Sequence, residues 1–521
     1  MVLFVSQSIP TSSQVKVAVI GGGVAGSTIA LRLSELGIKT TLFEKGPSLV
    51  NGPPMCHLHA GGNLYRDISD EQCFTLLQQS IDTLKVFRHC VDWRPTVIAL
   101  PTTDKSTPAA LLPRLYKLQQ RYRELVADDE TNEVLGSPEH YFRPYEREQL
   151  EALAKRPTPK VAQGFDDWLI PVAKTVNLDT LQFPVFLVQE YGLSAFRFAA
   201  AATLAMKSIA DCELRLNHQI VAITDTSGAL APSGSLETND ALATNSTPAT
   251  NGAVSKRWQL SYKDSAGALN LFDCDYVVNA CGFRSGEIDD LLNLPRQRLV
   301  EFKAAYVAHW PDTFGQWPEV IIHGERGTPQ GMAQLTPYPN GFFQLHGMTH
   351  DITLFEGGLV ASHATSAQPK LSTRFLNKIE HQWPEQEVAS RTQAAVNHAS
   401  QFFPAFANAK VAAKPLYGAQ QIPGTDPGLR AADVSFCSDG YARAEIVKAS
   451  SALAASDAIL GDLKRLGLTQ HLHVEAVNSS HYFPATKSLT QQGVVQLALK
   501  IAAQRDYSEA LAEPIQSAHT G

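Results

Sequence analysis

Residues 15–46, VKVAVIGGGVAGSTIALRLSELGIKTTLFEKG, decide how this chain reads. Val15 to Ile20 is an apolar run broken only by Lys16 and stopped by Gly21-Gly22-Gly23, the pattern of a strand buried on both faces of a parallel sheet. From Val24 the apolar residues Ile29, Ala30, Leu33 and Leu36 recur at helical spacing until Gly37, and Thr40–Phe43 forms a second strand that ends at Glu44. This is one βαβ unit, of about the expected 30 residues. Its turn carries Gly21-x-Gly23-x-x-Gly26. Gly21 permits the tight turn, Gly23 lets the backbone approach a pyrophosphate, and Gly26 lets the helix pack closely on the strand. The helix start at Val24 and Ala25 supplies amide donors and positive potential for phosphate. Glu44 follows Gly26 by 18 residues, placed to accept hydrogen bonds from a ribose diol, and favours an unphosphorylated ribose. Lys45 beside it is assigned to the same dinucleotide site.

The 521 residues allow two to four domains at roughly 150 residues each. With 44% hydrophobic and 18% charged residues, and ordinary Gly and Pro usage, the composition is that of a soluble globular protein with a sizeable core. The net charge of -7 is spread along the chain, which excludes a basic footprint for nucleic acid. Seven widely spaced Cys with no C-x-x-C fit neither a disulfide framework nor a thiolate metal site, and point to a reducing, cytoplasmic compartment. No window approaches 18 apolar residues, so no spanning helix is expected.

Ser69-Asp70-Glu71-Gln72 has capping-box form ahead of a helix with its stripe at Cys73, Phe74, Leu77, Ile81 and Leu84. Residues 101–184 are Pro-punctuated and mixed. A helix starts at Ser194 and runs through the Ala-rich stretch to Met206, and Leu214 to Ile223 reads as a strand pair. Residues 227–255 are rich in Ser, Thr, Asn, Gly and Ala with no aromatic residue, a composition expected of a flexible insertion. Strand character returns at Trp258–Tyr262 and at DYVVNA, 275–280, which runs into Cys281-Gly282. Alternation in FKAAYVAHW, EVIIHG, MAQLTPYP and GFFQLHGMT, between 299 and 358, predicts an antiparallel sheet.

The late strand DYVVNACG and the segment His57-Leu58-His59-Ala60-Gly61-Gly62-Asn63-Leu64-Tyr65 resemble the FAD-dependent oxidoreductases of the D-amino-acid oxidase superfamily. In those enzymes a V-V-N-A-x-G strand returns late to the cofactor domain and a Gly-containing segment passes the flavin. The second segment is also similar to the I-H-G-G-type stretch of glycerol-3-phosphate dehydrogenases. The resemblance covers most of residues 15–465 and implies FAD as cofactor. It also implies an α/β fold with a Rossmann-like FAD-binding domain of glutathione-reductase type and an antiparallel-sheet substrate-covering domain. It places His59, Gly61 and Gly62 beside the flavin, Ile220 at the adenine end through its backbone, and Ala280 and Gly282 on the same face. Asp439-Gly440 through Ser451-Ala452 then looks like the returning loop and helix over the flavin. That stretch, with Tyr417-Gly418-Ala419-Gln420-Gln421, most resembles malate:quinone oxidoreductases, and departs from them at Lys448 and at Ser451 to Leu453. Cys56 admits a covalent flavin link, because relatives attach FAD through Cys or His.

Moving a hydride from a carbon bearing an alcohol or amine requires a proton acceptor for the heteroatom and cations or amides for any carboxylate. His suits the first role, which selects His59, His323 and His346. Arg suits the second, which selects Arg443, with Arg326 and Arg430 behind it. No H-x-x-x-H pair, G-x-S-x-G elbow or P-loop lysine occurs, so metallohydrolase, serine hydrolase and triphosphatase chemistry have no support, and no metal is expected.

The expected organisation is a discontinuous FAD-binding domain (14–100, 185–298 and 410–475), a covering domain (101–184 and 299–409), and a C-terminal extension (476–521). In the extension, Gln491–Gln504 is an amphipathic helix that could pack on the body or touch the inner face of a membrane. The expected activity is oxidation of a small hydroxy acid, with a quinone or other acceptor for the electrons. The competing readings are an amine or amino-acid oxidase and a flavin-binding protein without turnover.

Overall fold

The computed structural model describes residues 14–52, 58, 68–227, 257–432, 434–470, 472 and 479–515. The expected flexible insertion, but for Ser227, lies outside them, as do Cys56, His57, His59, Gly61 and Gly62.

Lys16–Ile20 pairs in parallel with Lys39–Glu44 on one side and Tyr276–Asn279 on the other. Cys212–Leu216 extends the sheet beyond Lys39–Glu44, and Tyr441–Ala444 extends it beyond Tyr276–Asn279, both in parallel. Val434–Ser438 closes that edge antiparallel. The period of two along a strand divides the first one cleanly. Val17 and Val19 enter a core with the helices Val24–Glu35, Ala195–Ser208 and Ala452–Arg465, while Ala18 and Ile20 face Ile223, Trp258 and Leu260 of a three-stranded antiparallel sheet. Both faces are covered, which is why Val17–Ile20 reads as an unbroken apolar run. Ser69 caps Asp70–Val86 by accepting from the Gln72 amide at 3.3 Å, and Ser194 caps Ala195–Ser208 through Arg197 N at the same distance.

The second large sheet has nine strands. Arg298–His309 is its spine, flanked by Leu359–Ala361, Phe342–Gly347 and the long strand Lys410–Pro423. The sheet continues through Ala333–Pro337, Glu319–Ile322, Thr96–Pro101, Leu181–Val188 and Phe142–Tyr145. It departs from the expected all-antiparallel texture at one place, where Glu319–Ile322 runs parallel to Thr96–Pro101. Three of its strands also correct the expected boundaries. The expected boundaries place residues 96–100 and 185–188, half of Leu181–Val188, in the cofactor domain together with Lys410–Pro423; their backbone partners lie in the covering sheet. Helices Thr373–Glu380 and Glu385–Ser400 back this sheet over a core of Phe302, Trp310, Trp317, Phe343 and Trp383.

In the C-terminal extension, helix Gln491–Gln504 lies against Ala195–Ser208 and buries Val494, Ala498, Ile501 and Ala502. Among the described residues, no helix is long and apolar enough to cross a membrane.

Candidate active site

The turn after the first strand has the geometry its glycines predict. Gly21 sits at φ +101°, and a Cβ there would stand 2.5 Å from the Ala280 carbonyl oxygen. A Cβ on Gly26 would lie 1.9 Å from the Gly21 carbonyl oxygen, so helix and turn meet only because both residues lack side chains. Gly23 differs: it starts the helix with no side-chain cap, and nothing lies within 4 Å of where its Cβ would point. Gly21, Gly23, Val24 and Ala25 line the mouth of a cavity of about 1670 Å³. The first amides of a helix have no intrahelical acceptor, so this end offers donors and positive potential to a phosphate.

Glu44 lines the same cavity at the end of the second strand. Its Oε2 accepts from Gly22 N at 2.7 Å and its Oε1 from Gly46 N at 2.6 Å. A carboxylate has about four acceptor directions, so two remain for a ribose diol. Lys45, Ala280, Gly282, Phe283 and Arg284 complete this end. Burial, and then the neighbouring Arg284, depress the Lys45 pKa. Drug-sized ligands occupy roughly 300–1000 Å³; the larger volume here has room for a dinucleotide and a substrate together. Clash-free glycines, an open helix end, an acidic ribose acceptor and this volume all fit FAD.

The covering sheet supplies the other wall. Glu301 and Lys303 are two apart on Arg298–His309 and point to one face. Lys303 Nζ lies 2.8 Å from Glu301 Oε2, and Arg326 donates to Glu301 Oε1 from the loop beyond Glu319–Ile322. Burial alone would raise the Glu301 pKa, but the two cations and their hydrogen bonds hold it at about 2. Burial lowers the Lys303 pKa, and Glu301 offsets part of that. Two cations share one carboxylate, which leaves a net positive charge at the wall where Lys303 and Arg326 reach the cavity. His323, Gln334, Gln344 and His346 line the same wall, with Gln344 and His346 on one face of Phe342–Gly347 and Gln334 paired with His346 in register.

The structure thus brings together Gly21, Gly23, Val24, Ala25, Glu44, Lys45, Ala280, Gly282, His323, His346, Arg326 and Arg430 around one cavity. Gly26 serves it from behind. Four expected residues lie elsewhere. Arg443 is 1% exposed and donates from Nε to Asp289 Oδ1 at 2.8 Å, inside a buried cluster with Arg298 and Tyr441, so it cannot clamp a substrate carboxylate. Ile220 packs in the core behind the sheet and pairs with Tyr262. Asp439 and Gly440 form the turn that enters Tyr441–Ala444, with Asp439 ion-paired to Arg465. Ligands of parallel sheets bind at the carboxyl ends of the strands. Because Tyr441–Ala444 runs parallel to Tyr276–Asn279, its far end, Ala444 and Ile446–Ala449, lines the cavity, and the Asp-Gly turn sits at the opposite edge. Lys303, Gln334 and Gln344 escaped the sequence reading, whereas Gln421 and Ile446–Ala449 fall within the stretches 417–421 and 439–452 that carry the resemblance. The available signal was polar residues at alternate positions in strands otherwise apolar, such as Gln344 and His346.

Residues 16–156 match the family described as FAD dependent oxidoreductase (DAO). No curated protein matches the chain. Among solved structures the chain is similar to L-amino acid deaminase from Proteus vulgaris, at 13% identity and a TM-score of 0.51 over 90% of this chain and 99% of that one. It is similar to glycerol-3-phosphate dehydrogenase from Bacillus halodurans, at 12% identity and a TM-score of 0.51 over 96% and 74%. It is also similar to glycine oxidase from Geobacillus kaustophilus, at 13% identity and a TM-score of 0.50 over 88% and 96%. At such identities the structures speak for the fold. The family match over residues 16–156 makes the protein a FAD-dependent oxidoreductase enzyme with FAD as cofactor, and its fold is that of these neighbours.

Proposed function

We propose that the protein is a dehydrogenase that oxidises a small 2-hydroxy acid to the 2-oxo acid by hydride transfer to FAD. The observation that carries this reading is the covering wall: a carboxylate-binding pair, Lys303 and Arg326, beside the imidazoles His323 and His346. Among the described lining residues the only Phe, Tyr or Trp is Phe283, on the side of Gly282 and Arg284, so these residues form no aromatic cage of the kind that often meets an amine.

FAD, when bound, supplies the two-electron acceptor for the substrate hydride. The protein's part is binding and proton handling. Gly21, Gly23, Val24 and Ala25 would hold the pyrophosphate and Glu44 the ribose. Lys303 and Arg326 would anchor the substrate carboxylate, and His346 or His323 would take the hydroxyl proton as the C–H bond breaks. His59 is the third candidate base and lies outside the described residues. A quinone is the proposed electron acceptor, on the resemblance of 417–421 and 439–452 to malate:quinone oxidoreductases.

The fold hosts both hydroxy-acid and amino-acid chemistry, so substrate must be tested at the site. Mixed anaerobically with a panel of small hydroxy acids and the matching amino acids, the yellow holoenzyme should bleach with a hydroxy acid and recover with a quinone faster than with oxygen. Bleaching by amino acids alone would replace this reading with an oxidase, and no bleaching at full FAD occupancy would leave a flavin-binding protein without turnover. Lys303→Met should raise KM by about 10- to 100-fold, the worth of a charged hydrogen bond, with kcat less affected.

A further inference from the structure

The C-terminal extension touches the cofactor end of the cavity through one side chain. Arg505, just past helix Gln491–Gln504, is half-buried, and its guanidinium lies over the Phe196 ring at 5.7 Å. Nη1 donates to the Val50 carbonyl at 3.0 Å, Nη2 to Ser48 Oγ at 2.9 Å and to the Leu49 carbonyl, and Nε to Ser48 Oγ at 3.3 Å. One planar fork therefore gathers three consecutive residues, which a point charge on a flexible stem could not do.

Those three residues form the second layer of the phosphate-binding turn. Val50 N donates to the Gly22 carbonyl at 2.8 Å, and Leu49 packs so closely on Gly22 that a Cβ there would meet its Cδ2 at 2.6 Å. Gly22 in turn donates to Glu44. Val50 itself sits at φ +57°, a left-handed conformation that a β-branched residue adopts only under constraint. It also lines the cavity. A strained residue against the turn, with its carbonyl and its two predecessors held by one half-buried guanidinium, is a built constraint.

We infer that Arg505 is a positioning residue for FAD: it holds Ser48–Val50 against Gly22 and so fixes the turn and Glu44 in the geometry that retains the dinucleotide. This does not depend on which substrate is oxidised. Diluting the holoenzyme and following flavin fluorescence tests it. FAD should leave the Arg505→Met variant at least tenfold faster than wild type, while the substrate KM at saturating FAD and the thermal midpoint of the FAD-stripped protein stay close to wild type. Arg505→Lys keeps the charge over Phe196 but reaches fewer acceptors, and should fall between the two. Tyr507→Phe removes a hydrogen bond from the same segment to the Pro415 carbonyl, 2.7 Å long, and should release FAD at the wild-type rate. Wild-type release from a folded Arg505→Met, or from Arg505→Lys should the first variant fail to fold, overturns the inference. So does equal acceleration by Tyr507→Phe, which would reflect general loosening of the segment.

Discussion

Gly23 and Gly26 stand three residues apart, and their substitutions should fail in different ways. Gly23 has φ -66°, a value any residue adopts, and its missing Cβ points into open space at the cavity. Gly23→Val should therefore fold, and purify without flavin; FAD retained at wild-type stoichiometry would show that the phosphate binds elsewhere. Gly26→Ala, with its Cβ 1.9 Å from a backbone oxygen, must displace helix or turn, and should lower the thermal midpoint as well. Glu301 likewise depends on its immediate neighbours, Lys303 and Arg326. Its pKa is held at about 2 against an ordinary 4.5, so it stabilises the fold above about pH 4.5, and that stability is lost as pH falls toward 2. Glu301→Gln should flatten the acid limb of a stability-against-pH curve in that window. Glu301 also raises the Lys303 pKa, against burial. In the same variant Lys303 should lose its proton at lower pH, and the rise of KM on the alkaline side should begin earlier. An unmoved KM profile would mean that Lys303 does not hold the substrate.

At the scale of elements, the strand Tyr441–Ala444 shows what was legible and what was not. Its neighbour Tyr276–Asn279 and the βαβ unit carry their evidence locally: an apolar run, a glycine turn, an acid at a fixed distance. Arg443 looked like a clamp because its chain position suggested a loop over the cofactor. Its partner, Asp289, is 154 residues away in sequence, and nothing local to either residue announces the pair. Asp289 also takes Arg298 at 2.6 Å and Tyr441 Oη at 2.8 Å, and is itself fully buried. Removing one side of a buried ion pair strands the other charge, at a cost of about 3–5 kcal/mol. Arg443→Met should accordingly lose stability of that order in denaturant unfolding, while the surviving folded enzyme keeps its substrate KM. A KM that rises while stability holds would return Arg443 to the binding site. Alternation within 299–358 announces Arg298–His309, Glu319–Ile322, Ala333–Pro337 and Phe342–Gly347, but the strands that complete the covering sheet are hidden for the same reason. Lys410–Pro423 pairs with Arg298–His309, and Leu181–Val188 with Thr96–Pro101, across gaps of about 100 residues that no periodicity encodes.

For the whole molecule, the length suggested two to four domains, yet the chain passes from the parallel sheet to the covering sheet and back twice before it ends. The C-terminal segment then ties the two together, through Arg505 to Ser48–Val50 on one side and Tyr507 to Pro415 on the other. The cavity wall is drawn from both sheets, so neither half of the site survives alone. Units interleaved to this degree should unfold together. Calorimetry should show one main transition, which FAD shifts as a whole, because a ligand that binds only the folded chain stabilises it by RT ln(1 + [FAD]/Kd). At a free concentration 100 times Kd this is about 2.7 kcal/mol. With an unfolding entropy of roughly 2.1 cal/mol/K per residue, the midpoint of a chain this long should rise by only about 2–3 °C, and continue upward with the logarithm of FAD concentration. Two separate transitions, of which FAD moves only the first, would mean that the covering sheet folds independently and that the chain crossings do not couple the halves.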